Sequence, residues 1–146
     1  MAVTVNVYNH TRQLFASGAN VAGDTYKINL YSAFTFSASA TTKAAAESGA
    51  TQLSSANGYT QDAKTLASVT INVASTNGAA FDFADVQWDA TGGDLVATDA
   101  LIYNDTDTDD PPLFHIDFGE TITAVSGTPL IIRPNAAGLL TFLAPA

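Results

Sequence analysis

The sequence predicts an all-β protein, an antiparallel β-sandwich or partly open barrel of about 8 to 10 short strands. Three observations lead there. Apolar side chains recur with a period of two, dipeptides that tolerate positive φ fall between the alternating runs, and in the C-terminal half one run follows another about every ten residues.

Taken in order, Val3, Val5 and Val7 alternate with Thr4 and Asn6, which predicts a first strand with one face in a core and the other in water. "NHTRQLFASG" predicts a short helix near 10–17, with Asn9 or Thr11 as its cap and Gly18 as its terminator. Ile28 and Leu30 alternate with Lys27, Asn29 and Tyr31 in a second half-buried strand. Residues 37–58, "SASATTKAAAESGATQLSSANG", are small and polar. That composition predicts one long Ala/Ser/Thr-rich loop or arm, the alternative being a short helix at its Ala-rich centre.

Val69, Ile71 and Val73 then alternate with Thr70 and Asn72, Asn77-Gly78 supplies a turn, and Phe81 and Phe83 flank Asp82. Trp88 continues a strand pattern and is expected in the core. Gly92-Gly93 reads as a hairpin tip between "DVQW" and "LVATDALIY". Phe114, Ile116 and Phe118 alternate with His115 and Asp117, Gly119 separates them from "TITAV", and Gly127-Thr128-Pro129 precedes "LIIRP". Pro134 should end that strand early, and Gly138 precedes the last apolar run.

The 146 residues make a single domain over 1–146, large enough to hide roughly 68 to 70% of its extended surface. The absence of cysteine removes disulfides, thiolate zinc sites and cysteine nucleophiles. No basic start precedes an apolar run and no window approaches the roughly 20 apolar residues that span a bilayer, so a soluble chain without membrane partners is expected. Fourteen acids face five bases for a net charge of −9, and no Lys or Arg occurs between Lys64 and Arg133, where eleven of the acids fall. Nucleic-acid binding rests on cations that displace counterions from phosphate, so no nucleic-acid partner is expected.

Five carboxylates crowd into "NDTDTDDPPLFHIDF", residues 104–118. Asp105, Asp107 and Asp109 stand at i, i+2 and i+4, the opening ligand positions of a calcium loop of the EF-hand type. The glycine such a loop needs at its sixth position is Asp110 here, and the closing glutamate at its twelfth is Ile116, so the EF-hand fails. A looser oxygen cage from Asp105, Asp107 and Asp109 with backbone carbonyls competes with the preferred reading, a solvated acidic turn stiffened by Pro111-Pro112 that blocks edge pairing. No metal or cofactor is expected.

His115 and Asp117 share one strand face, yet no nucleophile elbow accompanies them, so His115 reads as a surface histidine on a polar face. With His10 as the one other histidine, a histidine-rich metal site is out of reach. "DATGGD" lacks the residues that complete a phosphate loop. Tyr8, Phe15, Tyr26, Tyr31, Tyr59, Trp88 and Tyr103 are candidates for a stacking surface or, more commonly, for core layers. Nothing marks out a catalytic pair, and no enzyme activity is expected.

Together, "VYNHTRQLFASG", "GDTYKINLYSA", "ANGYT", "LASVTINV", "DVQWDATGGDLVATDALIYNDT", "LFHIDFGE" and "IIRPNAAGLLTF" resemble a family of small structural proteins of tailed bacteriophages, most specifically over Val86 to Gly119. The resemblance covers nearly the whole chain and carries no catalytic residues. It implies a β-rich virion component, made in the host bacterial cytoplasm and placed on the capsid surface. There it would decorate or cement the shell by binding the major capsid protein and, at symmetry axes, copies of itself as a dimer or trimer. The alternative it implies is a tail, adaptor or fibre module that binds a host receptor or glycan. The family pattern has Trp or Thr where this chain has Arg133-Pro134, so the register of the last hairpin is open.

Overall fold

The computed structural model describes residues 2–75, 78–135 and 140–143. Ten strands and two short helices follow one another: β1 (Thr4–Val7), α1 (Thr11–Ala16), β2 (Tyr26–Ala33), α2 (Lys43–Ala46), β3 (Thr51–Gln52), β4 (Thr70–Ser75), β5 (Gly78–Asp82), β6 (Val86–Asp89), β7 (Leu95–Asn104), β8 (Pro112–Ala124), β9 (Pro129–Ile132) and β10 (Leu140–Leu143). They form a five-stranded sheet in the order β1-β8-β7-β2-β3, a three-stranded sheet β10-β5-β4 and a two-stranded sheet β6-β9. Every pairing is antiparallel, as the alternating pattern predicts.

One hydrophobic core joins the three sheets. Ile28 and Leu30 of β2, Ala100 and Ile102 of β7, and Phe114 and Ile116 of β8 form the inner face of the large sheet, and they pack with Phe81, Phe83, Val86, Trp88 and Leu130 from the strands of the smaller sheets. Phe81 lies at the centre, its ring 5.2 Å from Tyr26, 5.2 Å from Phe114 and 5.7 Å from Phe15. Rings at these separations gain quadrupole attraction beyond the area they bury. Trp88 is 3% exposed, the core residue its strand pattern predicts.

Three turn expectations are corrected. Gly92-Gly93 does not close a hairpin, because β6 pairs with β9 and β7 with β2 and β8. Gly119 does not divide two strands. β8 runs through it with Gly119 at φ +72°, and the register jumps from Asp99↔Asp117 to Ala97↔Ile122, leaving residues 118–121 as a bulge. The cap of α1 is His10, without a side-chain hydrogen bond, while Thr11 lies inside the helix and its hydroxyl donates to the Leu113 carbonyl. Gly18, at φ +77°, follows the helix end as expected. β9 ends at Ile132, before Pro134. β4 and β5 do form a hairpin, with Ser75 opposite Gly78, but Asn77 and Gly138 lie outside the described residues.

Residues 37–58 are mostly loop, yet they contain α2 and β3 and lie back on the chain's own large sheet. α2 is capped by Thr42, whose hydroxyl accepts from the Ala45 N–H, and β3 pairs with the end of β2. A second hydrophobic cluster of Tyr8, Tyr31, Ala40, Ala46 and Leu101, flanked by Phe34, Phe36 and Ala50, forms on the face of the sheet that would otherwise meet water. The strands at the middle of the sheet are therefore covered on both sides, and Ala100 to Asn104 are buried without alternation.

Candidate functional site

The covered outer face of the large sheet is where polar chemistry concentrates. Register sets two rows across it: Asn6, His115, Leu101 and Asn29 stand side by side in one, and Thr4, Asp117, Asp99, Tyr31 and Gln52 in the next. Successive side chains alternate between faces, so the inner residues between these rows belong to the core.

His115 lies among the first row, 3% exposed, which corrects its expected place at the surface. Its Nε2 is 2.8 Å from Asp99 Oδ1 and its Nδ1 is 3.1 Å from the Asn6 amide nitrogen. The Asn6 amide donates to Nδ1, so the proton sits on Nε2 and is directed at the carboxylate. The other Asp99 oxygen accepts from the Thr98 hydroxyl. Phe34 stacks on the imidazole at 4.5 Å and Phe36 at 5.5 Å. Both nitrogens are engaged and the ring is stacked with two phenyl groups, so His115 pins the covering segment to the sheet and has no free nitrogen with which to take a substrate proton. Its carboxylate partner is the cross-strand Asp99; Asp117, on the same face, is exposed.

A second polar cluster fastens the covering segment lower down. Lys43 of α2 reaches Asp62 at 2.9 Å and Glu47 at 3.2 Å, and its ammonium lies 5.2 Å from the centre of the Tyr103 ring. Asp62 Oδ1 also accepts from the Asn29 amide at 2.5 Å and from the Tyr103 hydroxyl at 3.3 Å, and the Tyr31 hydroxyl donates to Glu47 at 2.5 Å. Burial alone would raise the Asp62 carboxyl, but the Asn29 and Lys43 hydrogen bonds outweigh it and hold the group below its usual range. Burial pulls Lys43 down, and its two carboxylates more than restore it, so both partners stay charged. Burial followed by hydrogen bonding to Glu47 raises the Tyr31 hydroxyl, keeping it a neutral donor.

The acidic stretch proves to be the turn between β7 and β8. Asn104 N–H donates to the Pro111 carbonyl, Asp110 N–H donates to the Asp107 carbonyl, and Asp110 adopts φ +46°. Asp105 is held by Lys27 at 2.9 Å, while Asp107 and Asp109 are exposed. Among the described residues no three His, Cys, Asp or Glu side chains converge on a point that could hold a metal ion. Asp110 is pushed above the usual carboxyl range by burial and by the neighbouring Asp105.

All five tyrosines are buried, so none supplies a stacking surface. Sequence reasoning missed Phe34, Phe36, Lys43 and Asp62 as a set. The one available signal was Phe34-Thr35-Phe36, an alternating aromatic pair placed directly after a strand whose outward residues already included a tyrosine. Compared with known proteins, the chain matches no family model, no curated protein and no solved structure.

Proposed function

We propose that this chain is a structural protein of a tailed-bacteriophage virion, a decoration or cement protein that binds the outer surface of the major capsid protein shell and stabilises it. The observation that carries the reading is the distribution of charge. Lys27, Lys43 and Arg133 are each paired with acids of their own chain, and Lys64 donates to the Gln87 carbonyl and lies over Trp88. Asp85, Asp89, Asp94, Asp107, Asp109, Asp117 and Glu120 are exposed, so the surface offered to partners is acidic. Such a surface is repelled by packaged DNA and suits the outside of a shell. The resemblance of the sequence to small tailed-phage structural proteins supports the same placement.

Cementing acts through multivalency. A subunit that touches two neighbouring shell proteins makes the second contact intramolecular, so interfaces of about 800 Å² per partner suffice. The test adds the purified chain to shells that lack it and measures bound copies and the temperature of shell disruption. Saturation near the copy number of the shell protein with a raised disruption temperature is expected. No bound chain and no shift overturns the reading, and a single ring of copies on intact particles assigns the chain to a tail, adaptor or fibre position.

A further inference from the structure

β1 forms one edge of the large sheet, and among the described residues β8 is its only strand partner. Tyr8 N–H donates to the Leu113 carbonyl, continuing the register in which Val7 faces Phe114. Thr4 and Asn6 share the parity of Tyr8 and turn their backbone groups toward β8. The N–H and C=O groups of Val5 and Val7, and of Val3 in the same series, are thereby directed away from the sheet. Natural edges are commonly blunted by lysine, proline or a bulge. This one has none of these: "VTVNV" is uncharged, it pairs with β8 without a register shift, and Val3 is 60% exposed.

The segment is also complementary to itself. Laid antiparallel on a second copy about Val5, it sets Val5 against Val5, Val3 against Val7 and Thr4 against Asn6, so every contact is reciprocated as a twofold axis requires. Charge favours the same partner at the same edge. Residues 1–23 contain Arg12 and no acid, so neither copy of β1 brings a carboxylate of its own to the contact between two chains of net charge −9. The acid nearest the edge in register is Asp117, opposite Thr4. Its counterpart in the second copy would be at least three strand spacings off, roughly 14 Å, and thus beyond a physiological Debye length.

We propose that β1 is a self-association edge, at which a second copy of this chain adds its own β1 antiparallel and joins two five-stranded sheets into one across a twofold axis. The inference stands apart from the capsid reading, because it concerns the isolated chain. The pairing is short, so it forms and dissociates with concentration.

The experiment is sedimentation velocity and native mass spectrometry on the full chain from micromolar to millimolar concentration, with amide hydrogen exchange at both ends of that range. A doubling of mass is expected as concentration rises. The Val5 and Val7 amides should become protected only in the dimer, while those of Thr4 and Asn6 are protected throughout. Val5→Pro removes an outward N–H and leaves the ladder to β8 intact, so it should hold the chain monomeric at every concentration. Val3→Lys alters an exposed side chain at the same edge and should weaken the dimer at least tenfold; it carries the test if the proline variant misfolds. A wild-type chain that stays monomeric, Val5 and Val7 amides that exchange freely at all concentrations, or a dimer indifferent to Val3→Lys overturns the proposal.

Discussion

His115 shows how one side chain can hold a layer in place. Its imidazole bridges two strands through Asn6 and Asp99 and stacks with Phe34 and Phe36. Replacing it with alanine removes the stacking partner and leaves Asp99 Oδ1 buried without its histidine donor. His115→Ala should therefore cost about 3 kcal/mol of stability, measured by urea denaturation. His10 behaves differently, because its ring nitrogens are buried with no hydrogen-bond partner. Burial lowers its pKa below the ordinary 6.5. The unfolded chain then binds the proton more readily than the folded one, so stability at His10 is full above pH 6.5 and declines as pH falls below it. Thermal unfolding of wild type and His10→Gln between pH 7.5 and 5 should show a steeper fall in wild type; parallel curves would count against the assignment. The environment of His115 is not visible in the sequence, because a histidine in an alternating strand reads the same whether its polar face meets water or a covering loop.

Strands were legible wherever apolar residues alternate with polar ones. The Val69 to Val73 and Phe81 to Phe83 runs give β4 and β5, and the valines at the start of the chain give β1. What the periodicity does not carry is partner choice. Gly92-Gly93 has the chemistry of a hairpin tip, but β6 leaves it to pair with β9, about forty residues later. Gly119 has the chemistry of a break and serves as a bulge, its N–H donating to Asp117 Oδ1 at 2.7 Å while β8 continues. Gly58 is a clearer case of a residue set by its neighbours. It adopts φ +88°, and a Cβ there would overlap the Asp89 carbonyl at the end of β6, next to the bond from Thr91 N–H to the Asn57 carbonyl. Gly58→Ala should destabilise the protein by about 3 kcal/mol, through both strain and displacement of β6. Thermal melting checks it, with Gly18→Ala, at positive φ but in open space, as the milder comparison.

The whole molecule is an acidic sandwich in which four of the five bases are occupied by contacts within the chain. If that skin meets a shell protein through opposite charge, attachment should weaken with added salt while the fold itself is little affected, since exposed charges are screened within about 10 Å at 0.1 M. The fold class was readable from the sequence, whereas the covered face was not, because residues 37–50, which follow the Phe34 and Phe36 pair, are too small and polar to announce a layer. The pairing of β1 with β8 has a further consequence. Thr4 meets Asp117, so β1 finds its neighbour only after more than a hundred further residues have been made. Loop closure of that length delays productive contact, and a strand waiting in the nascent chain belongs to the late stage of assembly. The β7–β8 hairpin is the natural seed, and the amino-terminal residues should be the last to gain protection in a refolding time course.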